Sequence, residues 1–170
     1  MSAALLSSAV SANTFNLGLN NDTVEAGLKI PFSASGQISA NYLYADDEGK
    51  ILDIGFQTIH NSSNNRIELG GKLLKLWSKK RNNGQAFALG GAYRMPVAPS
   101  ITAAIEAYYA PSVLSWSGVD RFYNIDAKLM YEVMPTADLY LGYRDVHFKF
   151  DSESDQTLDQ SFYLGAELKF

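Results

Sequence analysis

Phe162, Leu164, Ala166, Leu168 and Phe170 fall on one face of the segment 161–170 when it is extended, and Tyr163, Gly165, Glu167 and Lys169 fall on the other. Side-chain direction in a strand alternates with a period of two, so this is a strand with one apolar and one polar face. The same alternation recurs along the chain. Ten segments carry it: 14–19, 23–32, 37–44, 52–58, 67–73, 86–95, 101–109, 122–133, 137–150 and 161–170. None shows the 3.6-residue period of an amphipathic helix. The pattern blurs at Leu74-Lys-Leu-Trp77, where a bulge or a membrane edge is expected. It changes parity beyond Asp145, with Val146, Phe148 and Phe150 joining the apolar face as one inserted residue would cause.

The connections between these segments sort into two kinds. Turns ending at Gly36, Asn65, Ser100 and Thr136 are short, and Pro31, Pro96 and Pro135 adjoin three of them. The intervening connections are longer or more charged: Asp46-Asp-Glu-Gly49, the basic stretch 78–84, the segment 110–121 with Trp116, and the acidic stretch 151–159. Alternating short and long connections in an even-stranded meander predict an all-β, transmembrane, antiparallel up-and-down barrel of ten strands. A count of eight stays open through the short segment 14–19. A soluble barrel or sandwich would use the same alternation with the apolar face turned inward. Two features favour the membrane form. Gly90, Ala92, Ala104, Gly142 and Gly165 on the polar face suit a crowded interior, and Tyr42, Tyr44, Trp77, Tyr93, Tyr109, Tyr123, Tyr131 and Tyr143 gather near strand ends, where interfacial girdles lie.

Composition adds exclusions. The 170 residues suit one domain, here 13–170, and include no cysteine, so disulfides and thiolate chemistry are out. A net charge of -4 argues against a nucleic-acid partner. No run of about 18 apolar residues provides a transmembrane helix. Residues 1–12 read as the remnant of a secretory signal peptide ending in small residues at Val10-Ser-Ala12, without a basic leader.

Glu106-Ala-Tyr-Tyr-Ala-Pro111, the run from Asp120 to Met134, Leu139-Tyr-Leu-Gly-Tyr-Arg144, and the glycine-containing final strand with Phe170 together resemble the YfaZ family of bacterial outer-membrane proteins. The resemblance spans 13–170 and is strongest after Ala86. It implies a small barrel in the outer membrane of a Gram-negative bacterium, porin-like, with no catalytic residues to carry over. It also implies membrane lipid, the barrel assembly machinery and lipopolysaccharide as partners, with Phe170 as the assembly signal. A monomer is favoured.

The charges assigned inward are Glu25, Lys29, Glu68, Lys72, Arg94, Glu106, Lys128, Glu132, Asp138 and Arg144, followed by Glu167 and Lys169. Such residues at membrane depth must face the interior and find partners. Both signs occur, so the set is read either as an interlocked plug or as the lining of a narrow passage for small solutes. An enzyme or a surface-loop binding barrel is the alternative function. His60 and His147 lie at opposite strand ends, and Asp145, His147 and Ser152 or Ser154 are not brought into a relay by strand geometry. No cofactor is expected. Asp46, Asp47 and Glu48, or Asp151, Glu153 and Asp155, are weak candidates for a divalent cation and more simply solvated acidic loops.

Overall fold

The computed structural model describes residues 12–152 and 154–170. Of the segment read as a signal remnant, only Ala12 lies among them. Ten long strands form the wall: β1 (Thr14–Leu19), β2 (Thr23–Ser33), β3 (Gly36–Ala45), β4 (Gly49–Ser62), β5 (Asn65–Ser78), β6 (Gly84–Ala98), β7 (Ile101–Ala110), β9 (Val119–Met134), β10 (Ala137–Phe150) and β11 (Gln156–Lys169). The two-residue β8 (Ser115–Trp116) is a spur that pairs with Gln85 and Ala86, above the level where β7 begins to pair with β6. It follows a single 3-10 turn, Ser112–Leu114.

Each strand pairs antiparallel with its neighbour, and β11 returns to β1, from Thr14 opposite Lys169 to Leu19 opposite Leu164. The Phe170 amide adds one more bond to the Asn13 carbonyl at 2.9 Å. The ten long strands therefore form a closed barrel, with only the spur β8 paired on one side among the described residues. The open count between eight and ten resolves to ten because β1, though only six residues long, pairs along its length with both β2 and β11.

The apolar face points outward. Phe162 is 68 % exposed, Leu164 65 %, Leu69 59 % and Leu89 53 %, while Glu68, Arg144 and Glu167 are buried inside. Tyr42, Tyr109, Tyr131 and Tyr143 also stand exposed on the outer surface. One end of the barrel carries two-residue turns, with Ser63 and Ser100 at positive φ. The other carries the longer connections, and the two are called here the turn end and the loop end.

Two irregularities differ from the sequence pattern. β5 runs without a register shift through Leu74-Lys-Leu-Trp77, paired with β4 as far as Ser78 and with β6 as far as Leu76, so Leu74 and Leu76 point inward and Lys75 outward. The parity change expected in β10 is absent as well: Val146, Phe148 and Phe150 lie on the same inward face as Tyr140, Gly142 and Arg144. The extra residue belongs to the neighbouring strand. Val146 pairs with Asp159 and His147 with Thr157, leaving Leu158 as the bulged residue of β11. Leu158 and Asp159 are consequently both buried. The acidic connection is shorter than the sequence suggested, because β11 starts at Gln156.

Candidate functional site

Among the described residues, buried polar and charged side chains gather in the interior, which has two zones. Toward the loop end the inward positions are apolar. Leu43, Ile51, Leu74, Leu76, Phe122, Val146, Phe148 and Phe150 form one cluster, closed in by Ala86, Ala88 and Ala110. The Phe122 and Phe148 rings lie 4.7 Å apart, and Phe148 stacks on Phe150 at 6.4 Å. Phe148 and Leu76 have no exposed surface.

Below this layer the inward positions are charged, and the charges meet across the bore. Lys29 on β2 reaches Glu68 on β5 at 2.8 Å, and Arg66 approaches the other oxygen of Glu68 at 2.8 Å. Gln37 bridges the same group, donating to Glu68 and accepting from Arg66. Lys72 on β5 meets Glu106 on β7 at 2.6 Å and lies 4.2 Å from the Tyr108 ring centroid. Arg94 on β6 takes Glu167 on β11 with two bonds, 2.8 and 3.0 Å. Arg144 on β10 pairs with Glu25 on β2, and also lies 3.4 Å from Asp159 and 3.8 Å from Asp126. Lys128 stands 3.6 Å from Asp126, whose carboxylate accepts from the Tyr163 hydroxyl at 2.7 Å. Paired in this way, buried charges avoid the large cost of an uncompensated ion in a low-dielectric space.

Glycine makes the room for the rings inside. In the β10–β11 ladder Tyr140 pairs with Gly165 and Tyr163 with Gly142, and a methyl group on Gly142 would stand 2.4 Å from the Tyr163 ring. Each tyrosine lies over the glycine of the next strand, with the two rings edge to face at 5.8 Å.

Three of the sequence-assigned charges sit apart from this network. Asp138 pairs with Lys169 at 2.7 Å near the turn end. Glu132 is exposed and lines the turn-end mouth, a recess of about 220 Å3 shared with Asp138 and Lys169. It does not pair across the lumen, because the inward row of β9 has by then reached the end of the barrel wall. Four interior charges were missing from the sequence set. Asp53 and Asp126 were already on the polar faces of their strands. Arg66 precedes the segment 67–73 read as β5, and Asp159 falls in the stretch 151–159 read as a connection, whereas β11 already starts at Gln156.

Between the two zones lies a cavity of about 70 Å3, lined by Glu25, Asp53, Lys72, Asp126 and Arg144 beneath Phe122 and Val146. It holds a few water molecules at most. Above the apolar layer the loops interlock. Gln156 donates to the Glu48 carbonyl and carboxylate at 3.0 Å and accepts from Ser78 at 2.9 Å. Lys80 pairs with Glu48, and Arg81 donates to Ser154 at 2.7 Å. Lys79 donates to the Tyr44 hydroxyl at 3.1 Å, which holds its ammonium above the ordinary lysine value.

The other candidate chemistries find no assembled site. His147 contacts Thr157 at 2.9 Å and Asp155 at 3.6 Å and stacks on Tyr123, on the outer surface rather than beside a serine. Asp46 and Glu48 are engaged with Lys79 and Lys80. Glu153 lies outside the described residues. Among those described, no three His, Asp or Glu side chains are placed to share a metal ion.

The fold has solved counterparts. The KdgM porin superimposes with a TM-score of 0.50 at 13 % identity, covering 94 % of this chain and 99 % of that one. The KdgM porin in complex with disordered oligogalacturonate gives the same values. The longer outer membrane channel DcaP of Acinetobacter baumannii is more distant, with a TM-score of 0.47, 12 % identity, and coverage of 91 % and 54 %. No curated protein matches the sequence significantly. The family model described as YfaZ precursor matches residues 1–170, and the chain belongs to the YfaZ family.

Proposed function

We propose that this protein is a small outer-membrane barrel, porin-like in architecture, whose bore is closed at rest and which serves as a structural barrel or a narrow, gated passage for small solutes. The outward apolar belt supports the membrane placement, since lipid removes the penalty for exposing Leu, Ile and Phe. The long connections then face the cell exterior and the two-residue turns face the periplasm.

One observation carries the closed state. The apolar layer around Phe148 and Leu76 fills the bore directly above a ring of transluminal ion pairs. An apolar constriction excludes water and ions without needing a moving part. The charged zone beneath it is nearly balanced, with Lys29, Arg66, Lys72, Arg94, Lys128, Arg144 and Lys169 facing a similar number of carboxylates. That balance does not suit the passage of a polyanion such as the oligogalacturonate seen with the KdgM porin, which would need cations left unpaired. The engagement of these charges with one another also supports a non-enzymatic role.

Single-channel recording in planar bilayers tests the reading. Wild-type protein is expected to show no conductance or rare small steps, and Phe148→Ala to raise the frequency of openings. A wide, steady wild-type pore would overturn the closed state.

A further inference from the structure

Among the described strands, the lysines and arginines that point out of the barrel are Lys50, Lys75, Arg121 and Lys149. All four lie within four residues of the loop end of their strands. Arg121 and Lys149 have carboxylates at hand, Asp120 at 3.2 Å and Asp155 at 4.0 Å. Lys50 and Lys75 have an aromatic partner instead. Their ammonium groups lie 5.6 Å and 5.0 Å from the Trp77 ring centroid. Strand register sets Tyr44, Lys50 and Trp77 side by side across β3, β4 and β5. Directly beneath, on the same outer face, stand Leu52, Ile54, Leu69 and Leu73, all well exposed.

We propose that Lys50, Lys75 and Trp77 form a docking site for the phosphorylated headgroup of a lipid in the outer leaflet. The inference rests on the membrane placement proposed above. Two exposed ammonium groups without a carboxylate, held over an indole, sit at the depth where the apolar belt ends and headgroups begin. A phosphate bridging them completes both charges, the lysine stems lie along the upper belt, and the acyl chains run down over Leu52 and Leu73. Nothing equivalent exists at the turn end, where the outward residues among those described include no lysine or arginine. The site therefore makes the two rims of the barrel chemically unequal.

The test uses the full chain carrying Trp116→Phe, which leaves Trp77 as the sole tryptophan. Refolded into phosphatidylcholine vesicles, it is titrated with brominated phosphatidic acid or brominated phosphatidylcholine at equal mole fraction, and Trp77 quenching is compared. The anionic lipid should be enriched at Trp77 roughly fivefold or more. Lys50→Gln with Lys75→Gln should bring the ratio near one, as should 1 M salt on the unaltered site by screening, on the order of a 3 Å Debye length. Arg121→Gln with Lys149→Gln should leave it unchanged. Equal quenching by the two lipids, or a preference that survives both the double substitution and salt, would overturn the headgroup site. Quenching by neither lipid would overturn the membrane placement and the inference with it.

Discussion

Arg94 and Glu167 meet across the bore through two hydrogen bonds, 2.8 and 3.0 Å long, joining β6 to β11 over three intervening strands. A contact of this kind ties opposite walls together in a way no strand ladder does. It also leaves each partner dependent on the other for charge compensation.

Glu167→Gln is therefore expected to destabilise the barrel by about 3 kcal/mol, the low end for breaking a buried pair because Arg94 retains some solvent contact. Replacing both residues by methionine should recover most of that loss. Urea unfolding of the refolded protein in vesicles measures both. Additive losses in the double variant would show that the two residues do not act as a pair.

Gly142→Ala places a methyl group 2.4 Å from the Tyr163 ring, and the ring is held by its hydrogen bond to Asp126. Overpacking of this sort costs about 1–3 kcal/mol. The expected outcome is a lower thermal midpoint for Gly142→Ala, with partial recovery in the Gly142→Ala and Tyr163→Ala double variant. A wild-type midpoint for the single variant would contradict the packing.

Leu89 is exposed on the outer face of β6, while Ala92 on the same strand faces the interior cavity. Leu89→Arg should cost about 2–4 kcal/mol in a lipid-embedded barrel, falling if the site lies near an interface. Ala92→Ser should be mild. Refolding titrations into vesicles compare them, and the reverse order would place the apolar face somewhere other than in lipid.

Phe170 is 68 % exposed and contributes the last backbone bond of the β1–β11 closure through its amide to Asn13. Deleting it, or replacing it with Ser, is expected to reduce outer-membrane yield several-fold while leaving total synthesis unchanged. Quantitative immunoblotting of membrane fractions gives the comparison. Equal yield would remove Phe170 from any role in assembly.

How far the sequence could be read follows the range of the interactions concerned. The strands and their two faces were legible because alternation is a period of two within one segment, while the outward direction of the apolar face rested on the small residues of the polar face and the aromatics near strand ends. Leu89 and Gly90, or Leu164 and Gly165, announce their faces without reference to any other strand. The same local rule placed Glu25, Lys72, Arg94 and Arg144 on the inner face.

The rule failed where a neighbour's register intervened. Polarity alone assigns Val146, Phe148 and Phe150 to the outer face, because a run of apolar residues beside a changed parity looks like an insertion in its own strand. The bulge is at Leu158 on β11, and β10 remains straight. A ladder records the mismatch between two strands, and one strand's sequence does not say which of them carries the extra residue. Because β10 keeps its alternation, Val146, Phe148 and Phe150 stay inward and build the apolar layer on which closure of the bore depends, and the bulge adds Leu158 to it. Pairing across the lumen was hidden for a related reason. Which carboxylate meets Arg94 is set by barrel closure and strand tilt, which bring β6 opposite β11. The sequence by itself determined the wall and the two faces of most of each strand, through local alternation; only the tertiary structure decided the faces at the loop ends of β5 and β10, which charges meet and where the bore is sealed, because these depend on strands far apart in the chain being held at a fixed register.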